Sequence, residues 1–259
     1  MPSIDQFAVI LYTLRDHLKT REDALRSFDK IAKIGYRSVQ VSGMSQDLFP
    51  EEELLATLTE RGLSICATHE PADAILGQTE AVIERVKKLG AKYTAYPYPA
   101  GIDFNDDNSV DKLIKDLDEA GKKMAAAGIT LTYHNHAVEF VKSRGKTVLA
   151  RIYEETDPAN LKAEIDTHWV VRGGGTVLDW IEKLDGRLPL LHMKDFSIDI
   201  QQQPQFAEIG NGNMNFPAIV AAAEKAGCKH FIVEQDVCPG DPFDSIRQSF
   251  DYIKANLAG

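Results

Sequence analysis

A repeated unit constrains the fold of this chain most strongly: an amphipathic segment ends at a glycine and runs directly into a β-branched or aromatic stretch. The unit occurs in IAKIGYRSVQV, TERGLSICATH, VKKLGAKYTAY, AAAGITLTYHN and EKAGCKHFIVEQ. Each glycine stands where a helix ends and the backbone needs a positive φ. Before the glycine, apolar residues recur at helical spacing, as at Val110, Leu113, Ile114 and Leu117. The sequence therefore predicts alternating helices and strands.

Eight strands can be counted, each followed by a segment with helical spacing: FAVIL, SVQV, LSICAT, KYTAY, ITLTYH, LKAEID, LPLLHM and HFIVEQ. Strands that alternate with helices imply right-handed parallel crossovers, and eight such units can close into a (β/α)₈ barrel, the TIM-barrel fold. The length of 259 residues suits one barrel, so we expect a single domain over residues 1–259. The alternative is an open doubly wound sheet, but the glycine-rich nucleotide fingerprint expected near its start is missing.

The composition argues against several classes of protein. No apolar stretch approaches the roughly 20 residues of a bilayer span. The first residues, MPSIDQFAVI, lack the basic flank and long apolar stretch of a secretory signal, so we expect a cytoplasmic protein without a membrane partner. The three cysteines form no CxxC pair and are expected to be reduced. A net charge of −10 repels a phosphate backbone, so we expect no nucleic-acid partner.

Polar side chains gather at the carboxyl ends of the predicted strands, where a barrel builds its reaction face. Asp166, His192 and Glu234 stand at the ends of three successive strands, so we expect them to converge at one mouth. Imidazole and carboxylate ligands suit manganese, zinc, cobalt or ferrous iron and leave coordination positions open for substrate oxygens. The pattern predicts a site for one divalent metal ion. Further strand-end residues are His69, Glu70, Tyr96, Tyr98, His134, Asn135, His136, His168, Lys194, Asp195 and Asp236.

Two loops have an unusual composition. The run Gly173-Gly174-Gly175 precedes a predicted helix. It could cradle a phosphate through backbone N–H groups, but a flexible loop is the interpretation that we favour. The long segment from Ser197 to Asn215 follows the seventh strand. A loop of that length in a compact domain is usually functional, so we predict a lid or a binding loop.

The segments YHNHAVEF, EIDTHWVV, LLHMKD, EIGNGN and FIVEQD resemble those of the xylose isomerase-like TIM barrel superfamily, and within it the sugar phosphate isomerases/epimerases. The resemblance implies one metal ion held by a Glu, an Asp, a His and a second Glu from strands five to eight. It maps Asp166, His192 and Glu234 onto the aspartate, the histidine and the second glutamate. Relatives are often dimers or tetramers, so a homo-oligomer stays open.

Two positions depart from the family pattern. His134 stands where the first glutamate is expected, so we predict that the metal binds two histidines and that Glu139 contacts the substrate. The opposite assignment, with Glu139 at the metal, stays open. Trp169 stands where relatives with an Asp-x-x-His motif place a substrate-binding histidine. Because successive strand residues face opposite sides of a sheet, the neighbouring His168 need not be its spatial equivalent.

The resemblance implies an isomerase or epimerase that acts on a sugar or keto sugar, a small polyhydroxy substrate. Two adjacent substrate oxygens would bind the metal, which acidifies the proton beside the carbonyl and stabilises the enediolate. Glu234 is the candidate base, and Glu139 or His134 would return the proton from the opposite face in an epimerase. The sequence does not choose among manganese, zinc, cobalt, iron and magnesium. The other candidate substrate contacts are His69, His136, Trp169, Lys194 and Glu208.

Three other functions stay open. A lyase or dehydratase that acts on an inosose or a 3-keto sugar would use the same metal and base, because β-elimination can follow enolate formation. A nuclease on abasic DNA would need more metal ligands and a basic surface. A barrel that binds a sugar without catalysis is the third, and it gains support because His134 replaces the family's first glutamate.

Overall fold

The computed structural model describes all 259 residues, and its eight main strands form a closed parallel barrel. Strand β1 (Phe7–Ile10) closes the ring by pairing in parallel with both β2 (Ser38–Val41) and β8 (His230–Val233). The barrel predicted from the repeated unit is therefore confirmed, and the open sheet is excluded. The strands are β1 (Phe7–Ile10), β2 (Ser38–Val41), β3 (Ser64–His69), β4 (Tyr93–Tyr96), β5 (Thr130–His134), β6 (Leu161–Asp166), β7 (Leu190–Met193) and β8 (His230–Val233).

Ten α-helices connect the strands and cover the outside of the barrel. Each helix is too short or too polar to cross a membrane. The glycines that end the repeated units have φ between 67° and 126°, as their position after a helix requires. The helices are α1 (Arg21–Ile34), α2 (Glu51–Thr59), α3 (Ala72–Gly77), α4 (Thr79–Lys88), α5 (Asp107–Ala126), α6 (Val148–Glu155), α7 (Thr167–Arg172), α8 (Val177–Lys183), α9 (Phe216–Lys225) and α10 (Pro242–Asn256).

Side-chain alternation along the strands positions the functional face. A small apolar cluster from five strands contains Leu190 of β7 and Ile232 of β8. Because residues two apart share one face of a strand, His192 lies on the same face of β7 as Leu190. On β6, Glu164 and Asp166 share one face for the same reason, and the register pairs Asp166 with His192. Polar residues therefore follow apolar ones toward the carboxyl end of the barrel.

The segment after β7 is a hairpin with an anchored base. Asp195–Ile198 pairs antiparallel with Pro204–Ala207. The Asp195 carboxylate accepts hydrogen bonds from the backbone N–H groups of Phe196, Gly210, Gly212 and Met214, at 2.7 to 3.3 Å. The role of this segment as a lid or binding loop stays a prediction.

Close packing accounts for two of the three consecutive glycines. A Cβ at Gly173 would lie 2.2 Å from Cδ2 of Phe140, and a Cβ at Gly175 would lie 2.6 Å from Cε1 of the same ring. A side chain at either position would displace the phenylalanine. The run is thus a packing feature rather than the flexible loop that we favoured from the sequence.

The hairpin anchor can be tested at Gly212. A Cβ there would lie 2.3 Å from Oδ1 of Asp195, so we expect Gly212→Ala to lower the free energy of unfolding by about 1–3 kcal/mol in urea denaturation. The matched control is Gly240→Ala, because a Cβ at that position meets nothing within 4 Å. The control should change stability by less than about 0.5 kcal/mol. Equal effects of the two substitutions would argue against the anchor.

Candidate functional site

Four side chains from consecutive strands meet at the carboxyl-terminal mouth of the barrel. His134 ends β5, Asp166 ends β6, His192 lies in β7 and Glu234 directly follows β8. All four residues are buried, and one donor atom from each lies within 4.8 Å of the others. The structure thus brings together the four residues that the sequence analysis named as metal ligands. Their binding of a metal stays a prediction.

Local structure orients the Asp166 carboxylate toward this cluster. Asp166 is both the last residue of β6 and the N-cap of α7, and its Oδ1 accepts a hydrogen bond of 3.0 Å from the Trp169 backbone N–H. Its own backbone N–H donates to Oδ1 of Asn135. The other carboxylate oxygen, Oδ2, is buried and has no aligned hydrogen bond. That oxygen faces the ammonium group of Lys194 at 3.0 Å.

A buried lysine lies among the carboxylates. The Nζ atom of Lys194 is 3.0 Å from Oδ2 of Asp166, 3.0 Å from Oε2 of Glu234 and 2.8 Å from Oδ2 of Asp236. Burial lowers the pKa of Lys194, but the carboxylates outweigh burial and hold the pKa above its ordinary value. With only 1% of its surface exposed, Lys194 is a counter-ion inside the site, and its role as a substrate contact stays a prediction.

Glu164, which the sequence analysis missed, lies below the cluster. It is fully buried on β6, two residues before Asp166. Its Oε1 lies 2.5 Å from Nε2 of His69, 3.2 Å from Nδ1 of His134 and 3.0 Å from Nε2 of His192. A carboxylate in the middle of a strand, between Ala163 and Ile165 and two residues before Asp166, was the available sequence signal.

Gln40 of β2 is a second functional candidate that was missed. Its Nε2 donates a hydrogen bond of 2.9 Å to Oε2 of Glu164, and its Oε1 lies 2.7 Å from Nε2 of His192. Gln40 is fully buried, so both amide groups need partners inside the protein. The amide therefore links the carboxylate to one of the candidate ligands.

The donor set fits a divalent cation. Three carboxylates, those of Asp166, Glu234 and Asp236, face one ammonium group, and Glu164 faces only imidazoles and an amide, so the region is strongly negative when its histidines are neutral. Burial lowers the pKa of His192, but Glu164 and Glu234 outweigh burial and raise it to about 10. A proton on His192 thus compensates part of the negative charge, and a metal would replace that proton.

A polar cavity of about 700 Å³ opens beside the cluster. Only three of its fifteen lining residues are hydrophobic, which suits a hydroxyl-rich molecule. His69 and His136, two predicted substrate contacts, line this cavity together with His134, Glu234 and Asp236. Burial lowers the pKa of His136 to about 3, so its imidazole is neutral at physiological pH. Its Nδ1 is buried and has no hydrogen-bond partner in the protein.

Trp169 lies behind the cavity wall, where its ring centroid is 5.5 Å from that of His136. The expectation for its neighbour His168 assumed a strand, but the chain is helical from Thr167. Successive helix residues point about 100° apart. His168 accordingly points elsewhere and stacks on Phe206 at 4.3 Å. His168 and Trp169 are therefore not equivalent in space, and the cause is the turn of a helix rather than the alternation along a strand that we expected.

Two carboxylates that were predicted to meet the substrate lie away from the cavity lining. Glu139 is fully buried and accepts hydrogen bonds from the Tyr133 hydroxyl, at 2.9 Å, and from the His136 backbone N–H, at 2.8 Å. Glu208 accepts a hydrogen bond of 2.8 Å from the hydroxyl of Ser245. Each carboxylate is occupied by structural partners. The structure therefore supports neither the catalytic role of Glu139 nor the substrate contact of Glu208, and Glu139 is not part of the donor cluster.

The buried state of Glu139 predicts a pH effect on stability. Burial raises the pKa of Glu139 from 4.5 to about 7. The folded state then binds a proton that the unfolded chain has lost, so the free energy of unfolding falls as the pH rises from 4.5 to about 7. We expect Glu139→Gln to lack this decrease, which is at most about 3 kcal/mol. Urea denaturation at the two ends of the window measures it.

The control for this experiment is Glu182→Gln, because Glu182 is exposed on α8. That variant should keep the pH dependence of the unmodified protein. An unchanged pH dependence in Glu139→Gln would show that Glu139 does not cause it.

Most of the chain matches one family of known proteins. Residues 28–256 match the family described as xylose isomerase-like TIM barrel. Among curated proteins, an inosose dehydratase from Geobacillus thermodenitrificans is 24% identical over 214 residues, which are 76% of this chain and 66% of that relative. The chain thus spans slightly less than two thirds of the relative's length.

Solved structures show the same fold at low identity. A sugar phosphate isomerase/epimerase from Parabacteroides distasonis has a TM-score of 0.82 at 22% identity, over 98% of this chain and 95% of that one. An L-ribulose 3-epimerase has a TM-score of 0.75 at 14% identity, over 97% and 94% of the two chains. A xylose isomerase-like TIM barrel protein from Mycobacterium smegmatis, in complex with magnesium, has a TM-score of 0.77 at 14% identity, over 99% and 98%. Since the family match runs from α1 to α10, this chain belongs to the xylose isomerase-like TIM barrel family.

Proposed function

We propose that this protein is a divalent-metal-dependent isomerase or epimerase of a sugar or keto sugar. The observation that carries the proposal is the convergence of four buried donors within 4.8 Å, two of which also line a polar cavity. The names of two similar structures, an isomerase/epimerase and an epimerase, support the reaction class. The magnesium complex of a third supports a metal. The donors are His134, Asp166, His192 and Glu234.

A bound divalent cation would polarise a substrate carbonyl and stabilise the negative charge that develops there. Glu234 is the base that we propose for the adjacent carbon. Its Oε2 is engaged by His192 and Lys194, whereas Oε1 makes no hydrogen bond within the protein. Burial raises the pKa of Glu234, but Lys194 and His192 hold it well below its ordinary value. The carboxylate is therefore ionised and able to accept a proton through Oε1.

Epimerisation needs a second group that returns the proton from the opposite face. Since Glu139 lies outside the cavity, we propose Asp236 for this role in its place. Asp236 lines the cavity beside Glu234; burial and the charge of Glu234 raise its pKa, whereas Lys194 at 2.8 Å lowers it. Glu70, the other lining carboxylate, already pairs with Arg85 at 3.1 Å.

A dehydratase is the second candidate, because the curated relative at 24% identity is an inosose dehydratase. The same base would remove the proton, and a β-hydroxyl would then leave as water with a proton from a neighbouring acid. The net charge of −10 gives no support to a nuclease.

Proton exchange tests the proposed function. Protein stripped with a chelator and reloaded with manganese, zinc, cobalt or magnesium is incubated with ketoses and inososes in heavy water. Deuterium at the carbon beside the carbonyl, detected by NMR, is the expected result, and Glu234→Gln should slow exchange by about 100-fold or more. Formation of an ultraviolet-absorbing enone would identify the dehydratase. Sugar binding without exchange under every metal would favour a non-catalytic barrel.

Metal binding should stabilise the folded protein. A metal ion that binds only the folded state, at a free concentration of about 100 times its Kd, adds about 2.7 kcal/mol to the free energy of unfolding. The Tm rises as a result. We expect His192→Ala to abolish this increase, because it removes one of the four donors. His230→Ala is the control, since His230 begins β8 at the opposite end of the barrel. A full increase in His192→Ala would remove His192 from the site.

Lys194 should compete with the metal, since it occupies the same oxygens of Asp166 and Glu234. We expect Lys194→Met to destabilise the chelator-treated protein by about 3–5 kcal/mol, because the buried carboxylates lose their counter-ion. Added metal should then raise Tm more than it does in the unmodified protein. Lys122→Met, at an exposed position of α5, is the control. A smaller metal effect in Lys194→Met would contradict shared oxygens.

A further inference from the structure

We propose that Glu164 is a positioning residue that fixes which ring nitrogen His134 and His192 present to the metal. One oxygen of this fully buried carboxylate has three imidazole nitrogens around it. They belong to His69, at 2.5 Å, to His134, at 3.2 Å, and to His192, at 3.0 Å. The proposal rests on the proposed function only in that it takes the four-donor cluster as the metal site.

The opposite nitrogens of the two ligand candidates point to the cluster above. Nε2 of His134 lies 3.8 Å from Oδ2 of Asp166, and Nδ1 of His192 lies 2.7 Å from Oε2 of Glu234. A neutral imidazole has one N–H and one nitrogen lone pair. An N–H on the Glu164 side of each ring, which His192 donates to Oε1 of Gln40 and His134 directs toward Oε1 of Glu164, therefore leaves the lone pair of each ring on the side of Asp166 and Glu234.

Gln40 requires the same orientation of His192. The amide donates from Nε2 to Glu164, so its Oε1 faces Nε2 of His192 and can only accept a hydrogen bond. Nε2 of His192 must then carry a proton. For His134, Nδ1 is buried without an aligned hydrogen bond, and Oε1 of Glu164 at 3.2 Å is the acceptor within reach.

A second metal ion between the same residues is a weaker explanation of this geometry. His69, His134, Glu164 and His192 do offer donor atoms within 4.8 Å of one another. However, ligands of a tetrahedral ion with bonds of about 2.0–2.1 Å lie about 3.3 Å apart, whereas Oε1 of Glu164 approaches the three nitrogens to 2.5–3.2 Å. These are hydrogen-bond distances. Simultaneous metals in both groups would also need two lone pairs on each shared ring, which a neutral imidazole lacks.

The chemical consequence concerns metal affinity. A carboxylate behind a ligating histidine fixes the tautomer, holds the ring in place and raises the basicity of the ligating nitrogen. Loss of such a partner typically weakens metal binding 10- to 100-fold. Glu164 would act on two ligands at once, so its effect should reach the upper part of this range.

Cobalt titration of the full, chelator-treated chain tests the proposal. We expect Glu164→Gln to bind Co²⁺ about 10- to 100-fold more weakly than the unmodified protein, measured by calorimetry and by cobalt absorption. Glu139→Gln is the matched control, because Glu139 is an equally buried carboxylate that contacts no donor atom of the cluster. It should bind within about threefold of the unmodified protein. A folded Glu164→Gln with affinity inside that threefold limit would overturn the proposal.

Histidine NMR separates this proposal from the proposed function. In the metal-free, ¹⁵N-labelled protein, His192 carries protons on both nitrogens, so His134 is the ring that reports the tautomer. We expect its proton on Nδ1 and none on Nε2. A proton on Nε2 of His134 with none on Nδ1 would overturn the positioning role, and the measurement needs no variant that must fold. If His134 has the expected tautomer but the unmodified protein binds no Co²⁺, the metal-dependent function fails while the positioning of His134 by Glu164 stands.

Discussion

Negative charge buried inside the barrel is the constraint on which the rest of the site depends. Glu164, Asp166 and Glu234 are buried, and burial of a carboxylate is costly unless a cation or hydrogen-bond donors face it. Lys194 supplies one cation at 3.0 Å from two of these groups. His69, His134 and His192 each place a ring nitrogen near the Glu164 carboxylate, where an N–H group can face it. The site thus needs positive charge, and a metal, a proton and an ammonium group are the three sources available to it.

Barrel closure makes this concentration of charge possible. The carboxyl ends of β5 to β8 are neighbours, so His134 and Glu234, one hundred positions apart in the chain, belong to a single cluster. The apolar cluster that contains Leu190 and Ile232 closes the barrel below. Polar groups above it are therefore shielded from water on one side and reached by solutes from the other. Such a setting strengthens electrostatic interactions and admits a substrate.

The fold and the four-donor cluster could be predicted because both follow from periodicity. Glycine-terminated helices mark each strand, and strand ends converge by topology alone. Glu164 and Gln40 could not be found in this way, because side chains within barrel strands were treated as packed core. The partners of Glu139, Glu208 and Lys194 could not be predicted either. A sequence shows a carboxylate or an ammonium group but not whether a nearby hydroxyl, amide or ion already occupies it.

Lys194 and Asp195 are adjacent in the chain but serve different parts of the molecule. The first reaches into the carboxylate cluster, and the second is held by backbone amides at the base of the hairpin. The base of the hairpin is therefore held in place by Asp195, the residue that follows Lys194. Residues at its tip, 199–203, can vary in sequence without moving that charge. The protein thereby separates a surface that is free to diversify from an electrostatic centre that must stay in place.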